Sequence, residues 1–339
     1  MKAIVYEEYG SPEVLKIKEI EKPVPKDNEI LIRIHATSIN YGDLIARNFK
    51  NISPRQFNMA MPLWLSARIM FGWSKPKKKI LGSEFAGQVE ETGKSVKKFK
   101  KGDPVFGYVG QKMGTNTEFM CIPENGTVAI KPSNLSFEEA SVIPYGALMA
   151  MEHLSKANIQ KGQKVLVNGA SGSIGSAGVQ LAKYHGGEIT GVCGSLRLKF
   201  VKSLGADKVI DYTKEDFTRN NEMYDLIYDI LGKSKFENCK NSLTGNGIYL
   251  LASFKMKQIF QMFWTKLSGS SKKVICALAV DKTENLITIK NLVESGHIRA
   301  IVDKSFPMDK IVEAHRYAEE GEKKGSIVLT YGFESDIRN

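Results

Sequence analysis

The sequence predicts an α/β protein in which a doubly wound parallel sheet is joined to a β-rich domain built from both ends of the chain. Three observations carry this expectation. Residues 1–128 read as short strands broken by turn residues, as in Gly10-Ser11-Pro12 and Lys101-Gly102-Asp103-Pro104. From Ser136, a serine N-cap ahead of Phe137-Glu138-Glu139-Ala140, strand and helix patterns alternate. Beyond residue 281 the chain returns to helices and short strands, ending at 326–331. A length of 339 residues exceeds one ordinary core, so the expected division is 1–128 with 282–339 for the β-rich domain and 129–281 for the parallel sheet.

In chain order, the early strands are expected at 3–6, 15–20, 29–38, 84–92, 104–108 and 117–122. Six apolar runs follow at 165–168, 188–193, 208–210, 226–229, 248–252 and 274–280. Runs without polar alternation are what parallel strands covered on both faces require. Hydrophobic residues make up 42% and charged residues 25%, the balance of a soluble globular chain, and no apolar run reaches the roughly 18 residues of a membrane span. Met1-Lys2-Ala3 enters a strand pattern directly, without the succession of a secretory leader, so a cytoplasmic location is expected. Cys121, Cys193, Cys239 and Cys276 are widely spaced and read as reduced. The net charge of +11 favours anionic partners, but the lysine runs at 75–79, 94–101 and Lys323-Lys324 read first as solvated loops.

The segment 164–175 is a strand followed by a glycine turn, and a helix pattern follows from Ser176 to Lys183. Lacking a side chain, Gly172 lets backbone approach a pyrophosphate, Gly175 lets helix and strand pack closely, and the helix N-terminus offers free N–H groups. Ala170 replaces the first glycine of the strict pattern, with Gly169 one residue earlier. Gly169, Ser171, Gly172, Ser173, Ile174 and Gly175 are therefore the expected contacts of a Rossmann-type dinucleotide site. An acid at the end of the second strand would bond the ribose of NAD. Here that strand ends in Gly194-Ser195-Leu196-Arg197-Leu198-Lys199. Ser195, Arg197 and Lys199 suit the 2′-phosphate of NADPH, the alternative being that both cations face solvent.

Taken with Ser38-Ile39-Asn40-Tyr41-Gly42-Asp43, Gly82-Ser83-Glu84-Phe85-Ala86-Gly87, Gly102-Asp103-Pro104-Val105-Phe106-Gly107, Leu204-Gly205-Ala206-Asp207, Asp211-Tyr212 and the run 325–329, the chain resembles the zinc-free quinone oxidoreductase-like branch of the medium-chain dehydrogenase/reductase superfamily. The resemblance runs nearly end to end and implies a Rossmann domain plus a GroES-like β-rich catalytic domain. Zinc-dependent relatives carry a cysteine where Asn40 stands and a histidine where Ser83 stands, and no Cys/His cluster replaces them, so no metal is expected. The implied reaction is hydride transfer to a small hydrophobic quinone or to the β-carbon of an enone, with protein groups stabilising developing oxygen charge. Asn40 and Tyr41 are the implied donors, and Asp43 orients their loop. For Tyr41 a packed aromatic is the competing reading. Tyr212 would lie against the adenosine, and the stretch from Asp229 through Leu231 to Gly232 would line the cofactor. Met149 and Ser326 depart from the threonine and lysine usual in the family. Residues 274–280 sit where relatives pair strands across a homodimer.

Two insertions stand out: 51–79, which holds Trp64 and Trp73, and 254–266, which holds Phe260, Phe263 and Trp264. They read equally as the wall of an apolar pocket or as extra core at an interface, with membrane contact third for want of a clear amphipathic stripe. Two other functions remain open: a zinc-free NADP-dependent alcohol dehydrogenase, and a nucleotide-binding protein with an RNA- or membrane-associated role. Against RNA, the sequence lacks an RNA-recognition motif and basic patches interleaved with aromatics. The five histidines lie singly and read as structural.

Overall fold

The computed structural model describes residues 1–280, 282–321 and 324–332. The boundary residue Asp281 and Lys323 of the last lysine run lie outside the described residues. The chain divides into two compact units: Met1–Ser53, Ser66–Tyr145 and Asp281–Asn339 form one, Pro54–Leu65 and Gly146–Val280 the other. The first part of the chain runs through β1 (Lys2–Val5), β2 (Lys16–Glu19), β3 (Glu29–Ile39), α1 (Tyr41–Arg47), α2 (Met61–Phe71), β4 (Glu84–Thr92), β5 (Pro104–Tyr108), β6 (Phe119–Pro123), β7 (Val128–Ile130) and α3 (Phe137–Ala140). Next come α4 (Pro144–Ser155), β8 (Lys164–Asn168), α5 (Ser173–Tyr184), β9 (Glu188–Cys193), α6 (Leu198–Ser203), β10 (Lys208–Asp211), β11 (Tyr224–Asp229), α7 (Phe236–Cys239), β12 (Leu243–Leu251), α8 (Met256–Leu267) and β13 (Lys273–Cys276). The chain closes with α9 (Thr283–Glu294), β14 (Val302–Pro307), α10 (Ile311–Glu320) and β15 (Ser326–Thr330).

In the first unit, β3 is the organising strand: it pairs antiparallel with β4, β6 and β15, so both its edges are occupied along its length. That explains its nearly unbroken burial, where an ordinary half-exposed strand would alternate. Asn40 directly follows this strand and is the N-cap residue of α1, so the strand delivers the following loop from a fixed base.

Among the described residues, the second unit holds six parallel strands in the order β10-β9-β8-β11-β12-β13. The order reverses at β8 and β11, and the crevice outside the carboxyl ends of such strands is where this architecture binds ligands. Tyr228, Tyr249 and Val165 are fully buried within the sheet. The last strand is shorter than the run 274–280 suggested. Leu251 is the final residue of β12 and pairs with Cys276, so past Ala277, whose N–H bonds to the Leu251 carbonyl, the partner strand has ended.

The division also differs from the expected 128/129 boundary. Residues 129–145 belong to the first unit because α3 is fastened there. The His35 ring stacks on Phe137 at 4.3 Å, Ser305 Oγ donates to Glu138 at 3.0 Å, and Asn134 Nδ2 donates to the Val293 carbonyl at 3.1 Å.

The insertion 51–79 is not one block. Its part Pro54–Leu65 belongs to the second unit, where Met59 and Leu63 pack with Ile259 and Met262 onto a core containing Phe254 and Tyr249. Lys255 fastens this layer: its ammonium donates to the carbonyls of Pro54 at 3.2 Å, Arg55 at 3.3 Å and Phe57. Burial holds its pKa below the ordinary lysine value. The later part of the insertion stays in the first unit, where Arg68 Nη1 donates to the Phe49 carbonyl at 2.8 Å and the guanidinium lies 5.2 Å from the Trp73 ring. Lys255→Met keeps the stem and removes all three bonds. The expected cost is about 1–3 kcal/mol of stability in urea unfolding, with faster amide exchange confined to residues near 54–57. Unchanged exchange there would refute the fastening role.

Candidate active site

The glycine turn begins at the end of β8. Gly169 takes φ +91°, a left-handed conformation that turns the chain without side-chain strain. Gly172 is the N-cap of α5, and the first intrahelical bond runs from Ser176 N–H to the Gly172 carbonyl at 2.8 Å. The N–H groups of Ser173, Ile174 and Gly175 therefore precede the helical ladder and point along the positive end of the helix dipole. A Cβ at Gly175 would lie 2.1 Å from the Gly169 carbonyl oxygen, so the helix rides directly on the turn. At Gly172 the nearest atom to such a Cβ is 3.7 Å away, and this residue is exposed. The tight position and the open one are those that a pyrophosphate cradle needs. Ala170 is fully buried, so in this turn the missing first glycine faces the protein interior. Ser171 is half-buried beside the turn.

Ser195 and Tyr212 are brought together at the ends of β9 and β10. A Cβ at Gly194 would meet the Tyr212 ring at 3.6 Å, so the largely exposed phenol lies over this backbone and offers a face to a ligand. Ser195 does not simply present its hydroxyl: Oγ donates to Asp211 and lies 3.2 Å from Thr213 Oγ1. The Ser195 and Thr213 hydrogen bonds hold the Asp211 carboxyl below its usual range. The acid comes not from the second strand, where NAD-binding sites carry it, but from the third. Arg197 is half-buried and caps α6, while Lys199 is exposed on the same helix.

Beyond β11, the fully buried Asp229 accepts from Asn168 Nδ2 at 3.1 Å, Gly232 N–H at 3.1 Å, Ser234 N–H at 3.0 Å and the Tyr249 hydroxyl at 2.8 Å. Burial raises its pKa against these bonds. Asp229 thus shapes the loop from inside, and Gly232 is one of the amides it holds. Leu231, more than two-fifths exposed and adjacent to Gly169, is the loop residue able to touch a ligand.

The first unit carries a separate polar cluster. Asp43 uses both carboxylate oxygens on backbone, accepting from Asn40 N–H and from Gly82 N–H, each at 2.8 Å. It therefore ties the 40–43 and 82–84 loops together. Asn40 departs from expectation. Its Nδ2 faces Glu84 Oε1 at 2.9 Å, Ser38 Oγ at 3.1 Å and Ser83 Oγ at 3.3 Å, so its amide hydrogens are directed into the protein and not towards an acceptor. Tyr41, at the first turn of α1, is 51% exposed.

Glu84, within Gly82-Ser83-Glu84-Phe85-Ala86-Gly87, joins this cluster without a role expected from the sequence. It is fully buried. One oxygen accepts from Ser38 Oγ and Asn40 Nδ2, the other from Tyr145 N–H at 2.7 Å in the first turn of α4. Desolvation pushes its pKa up to about 7, against the pull of these three bonds and with help from nearby Asp43. An acidic residue directly ahead of the apolar run Phe85-Ala86-Gly87 was the available signal.

Among the described residues, no three His, Cys, Asp or Glu side chains converge on a possible metal site. Met149 is half-buried on α4, and Ser326, half-buried at the start of β15, donates its N–H to the Ile301 carbonyl at 2.8 Å.

Comparison with known proteins gives these groups a context. A family profile described as "Alcohol dehydrogenase GroES-like domain" matches residues 26–133, and one described as "Zinc-binding dehydrogenase" matches residues 204–329. The chain is 30% identical to the 2-methylene-furan-3-one reductase of Solanum lycopersicum, over 97% of this chain and 79% of that protein. It is 29% identical to a chloroplast envelope quinone oxidoreductase homolog of Arabidopsis thaliana, over 97% and 98% respectively. The solved quinone oxidoreductase from Coxiella burnetii superposes with a TM-score of 0.81 at 26% identity, covering 97% of this chain and 99% of that one. The matched domains, the near full-length relatives and the shared fold together make this chain a member of the zinc-free, quinone oxidoreductase-like branch of the medium-chain dehydrogenase/reductase superfamily.

Proposed function

We propose that the protein is an NADPH-dependent, zinc-independent reductase of small hydrophobic quinones or α,β-unsaturated carbonyls. The observation that carries this is the mutual hydrogen bonding of Asn40 and Ser83 at the two positions where zinc-dependent relatives place ligands. An amide and a hydroxyl are poor zinc ligands, and bonded to each other they leave developing oxygen charge to another hydrogen-bond donor beside them. The names of the two relatives agree, one pointing to a quinone and the other to a methylene-furanone, itself a conjugated enone.

The open Gly172 edge and the α5 N-terminus fit a dinucleotide pyrophosphate, with Gly169, Ser171, Ser173, Ile174 and Gly175 forming the cradle and Leu231 beside it. When bound, the nicotinamide supplies the hydride. Asn40 acts as a positioning residue held by Glu84, and Tyr41, half exposed, donates its hydroxyl to the acceptor oxygen. A second copy would add at β13, an edge strand of the parallel sheet, forming the homodimer that sedimentation can test.

The decisive assay follows NADPH oxidation across a panel of quinones and enones. Protein that binds the cofactor yet turns over none of them would sink the proposal. Tyr41→Phe should lower kcat/KM by about tenfold or more with cofactor affinity unchanged.

One observation favours NADH as the competing cofactor: the Ser195 hydroxyl is committed to Asp211, whose negative charge opposes a 2′-phosphate. Selectivity for NADPH then falls to Arg197 and Lys199. Arg197→Ala should weaken NADPH by at least about tenfold and leave NADH unchanged in a fluorescence titration. An equal loss for both cofactors, or a wild-type preference for NADH, would overturn the phosphate assignment.

A further inference from the structure

Helix α8 turns an apolar face outward. Met256, Phe260, Phe263, Trp264 and Leu267 fall within an arc of about 100° on the helical wheel, with Lys257 and Lys266 on its two borders. Phe260 is 65% exposed, Phe263 54%, Trp264 73% and Leu267 83%. The inner face carries Ile259 and Met262, which pack on the core of the same unit, and the buried Thr265, whose Oγ accepts from Val274 N–H at 3.2 Å. The stripe judged unclear in sequence is therefore present. The inward apolar residues sit on the core, and the outward ones form a separate and contiguous row.

Exposed Phe, Trp and Leu in one row are too costly to be an idle surface, so something covers them. Charge decides what. Residues 230–276 contain eight lysines and a single acid, Glu237, a formal charge of +7 within a chain whose total is +11. Lys257 is paired with Glu237 at 2.7 Å, while Lys266 and Lys273 are exposed. Against a second α8 this collar would meet its own charge, because a twofold contact sets the same patch of one copy against that of the other. Against an anionic lipid surface it meets the opposite charge, and the aromatic row suits the boundary between headgroups and acyl chains. Among the described residues no helix is long and apolar enough to cross a membrane, so the contact is lateral.

We propose that α8 lies flat in the interface of an anionic membrane, with Phe260, Phe263, Trp264 and Leu267 inserted and Lys266 and Lys273 against the headgroups. Twelve residues of helix, about 18 Å long, make a shallow and reversible contact. The inference stands on the surface of this unit alone and does not depend on which reaction the protein catalyses.

The test is flotation of the full chain with vesicles of phosphatidylcholine plus phosphatidylglycerol, and with phosphatidylcholine alone. Binding is expected to the anionic vesicles only, weakening with added salt and accompanied by a blue shift of Trp264 fluorescence. Phe260→Asp combined with Trp264→Asp should weaken it at least about tenfold, and both positions are exposed enough that folding is retained. Three results would overturn the proposal: no binding to anionic vesicles, undiminished binding by the double variant, or a double variant whose main effect in lipid-free buffer is loss of self-association. The last would assign the face to a second copy of this chain.

Discussion

Gly175→Ala is expected to abolish nicotinamide dinucleotide binding and to destabilise the protein, whereas Gly172→Ala is expected to weaken binding and leave the fold intact. The two glycines stand three residues apart in one turn and meet opposite surroundings. At Gly175 an added Cβ would lie 2.1 Å from the Gly169 carbonyl oxygen, 2.8 Å from its carbon and 2.9 Å from the Ala170 Cα. All three are backbone atoms and cannot move aside by changing rotamer, so α5 must retreat from the turn. Overpacking of this kind costs roughly 1–3 kcal/mol or more, and it displaces the N–H groups of Ser173 and Ile174 from any phosphate they hold. At Gly172 the same atom meets only the Gly169 carbonyl oxygen, at an unstrained 3.7 Å, and would stand on the side a pyrophosphate would fill. Thermal unfolding and NADPH titration of both variants separate the effects: at least about 100-fold weaker binding with a lowered Tm for Gly175→Ala, and weaker binding at an unchanged Tm for Gly172→Ala. An alanine at 172 that binds as the wild type does would mean that the cradle lies elsewhere.

Those glycines show what was legible in the sequence. A turn between a buried strand and an amphipathic helix is specified locally, by residue types at fixed spacing, so the parallel sheet and the glycine turn that opens α5 could be read directly. Side-chain partnerships across distant segments could not. Ser195 looked like a phosphate donor until the third strand brought Asp211 to it, and Asn40 looked like a donor until β4 set Glu84 and Ser83 against its amide. In both cases the neighbour is 16 or more residues away in sequence, and its orientation follows from strand register, which no local pattern encodes. The insertions failed for a related reason. That Lys255 would gather three carbonyls from residues 54–57 depends on a packing arrangement some 200 residues apart in the chain, while the lysine itself reads as one more surface charge.

Glu84 should make the protein less stable as pH rises towards neutrality, the reverse of what a salt-bridged carboxylate does. Its carboxyl holds its proton in the native state up to about 7, because burial opposes the charged form, whereas the unfolded chain releases it near the ordinary value of 4.5. Between those two values the native state binds more protons than the unfolded state, so unfolding stability falls with increasing pH. The contribution is complete below about 4.5, declines through the window and is gone above about 7, a total of roughly 3 kcal/mol. Other groups titrate in the same range, so the measured quantity is the difference in urea stability between the wild type and Glu84→Gln from acid to neutral pH. That difference should shift against the wild type by roughly this amount and then level off. The same titration bears on the site. Ionised Glu84 can only accept, which forces the Asn40 amide nitrogen inward, whereas a protonated Glu84 can itself donate and leaves that amide free to reverse. In Glu84→Gln the new Nε2 is a permanent donor, so the variant should behave at pH 8 as the wild type does below neutrality, in kcat as well as in stability. A stability difference that stays flat, or that grows in favour of the wild type as pH rises, would show that Glu84 is ionised throughout and that the orientation of Asn40 is fixed by Ser38 and Ser83 alone.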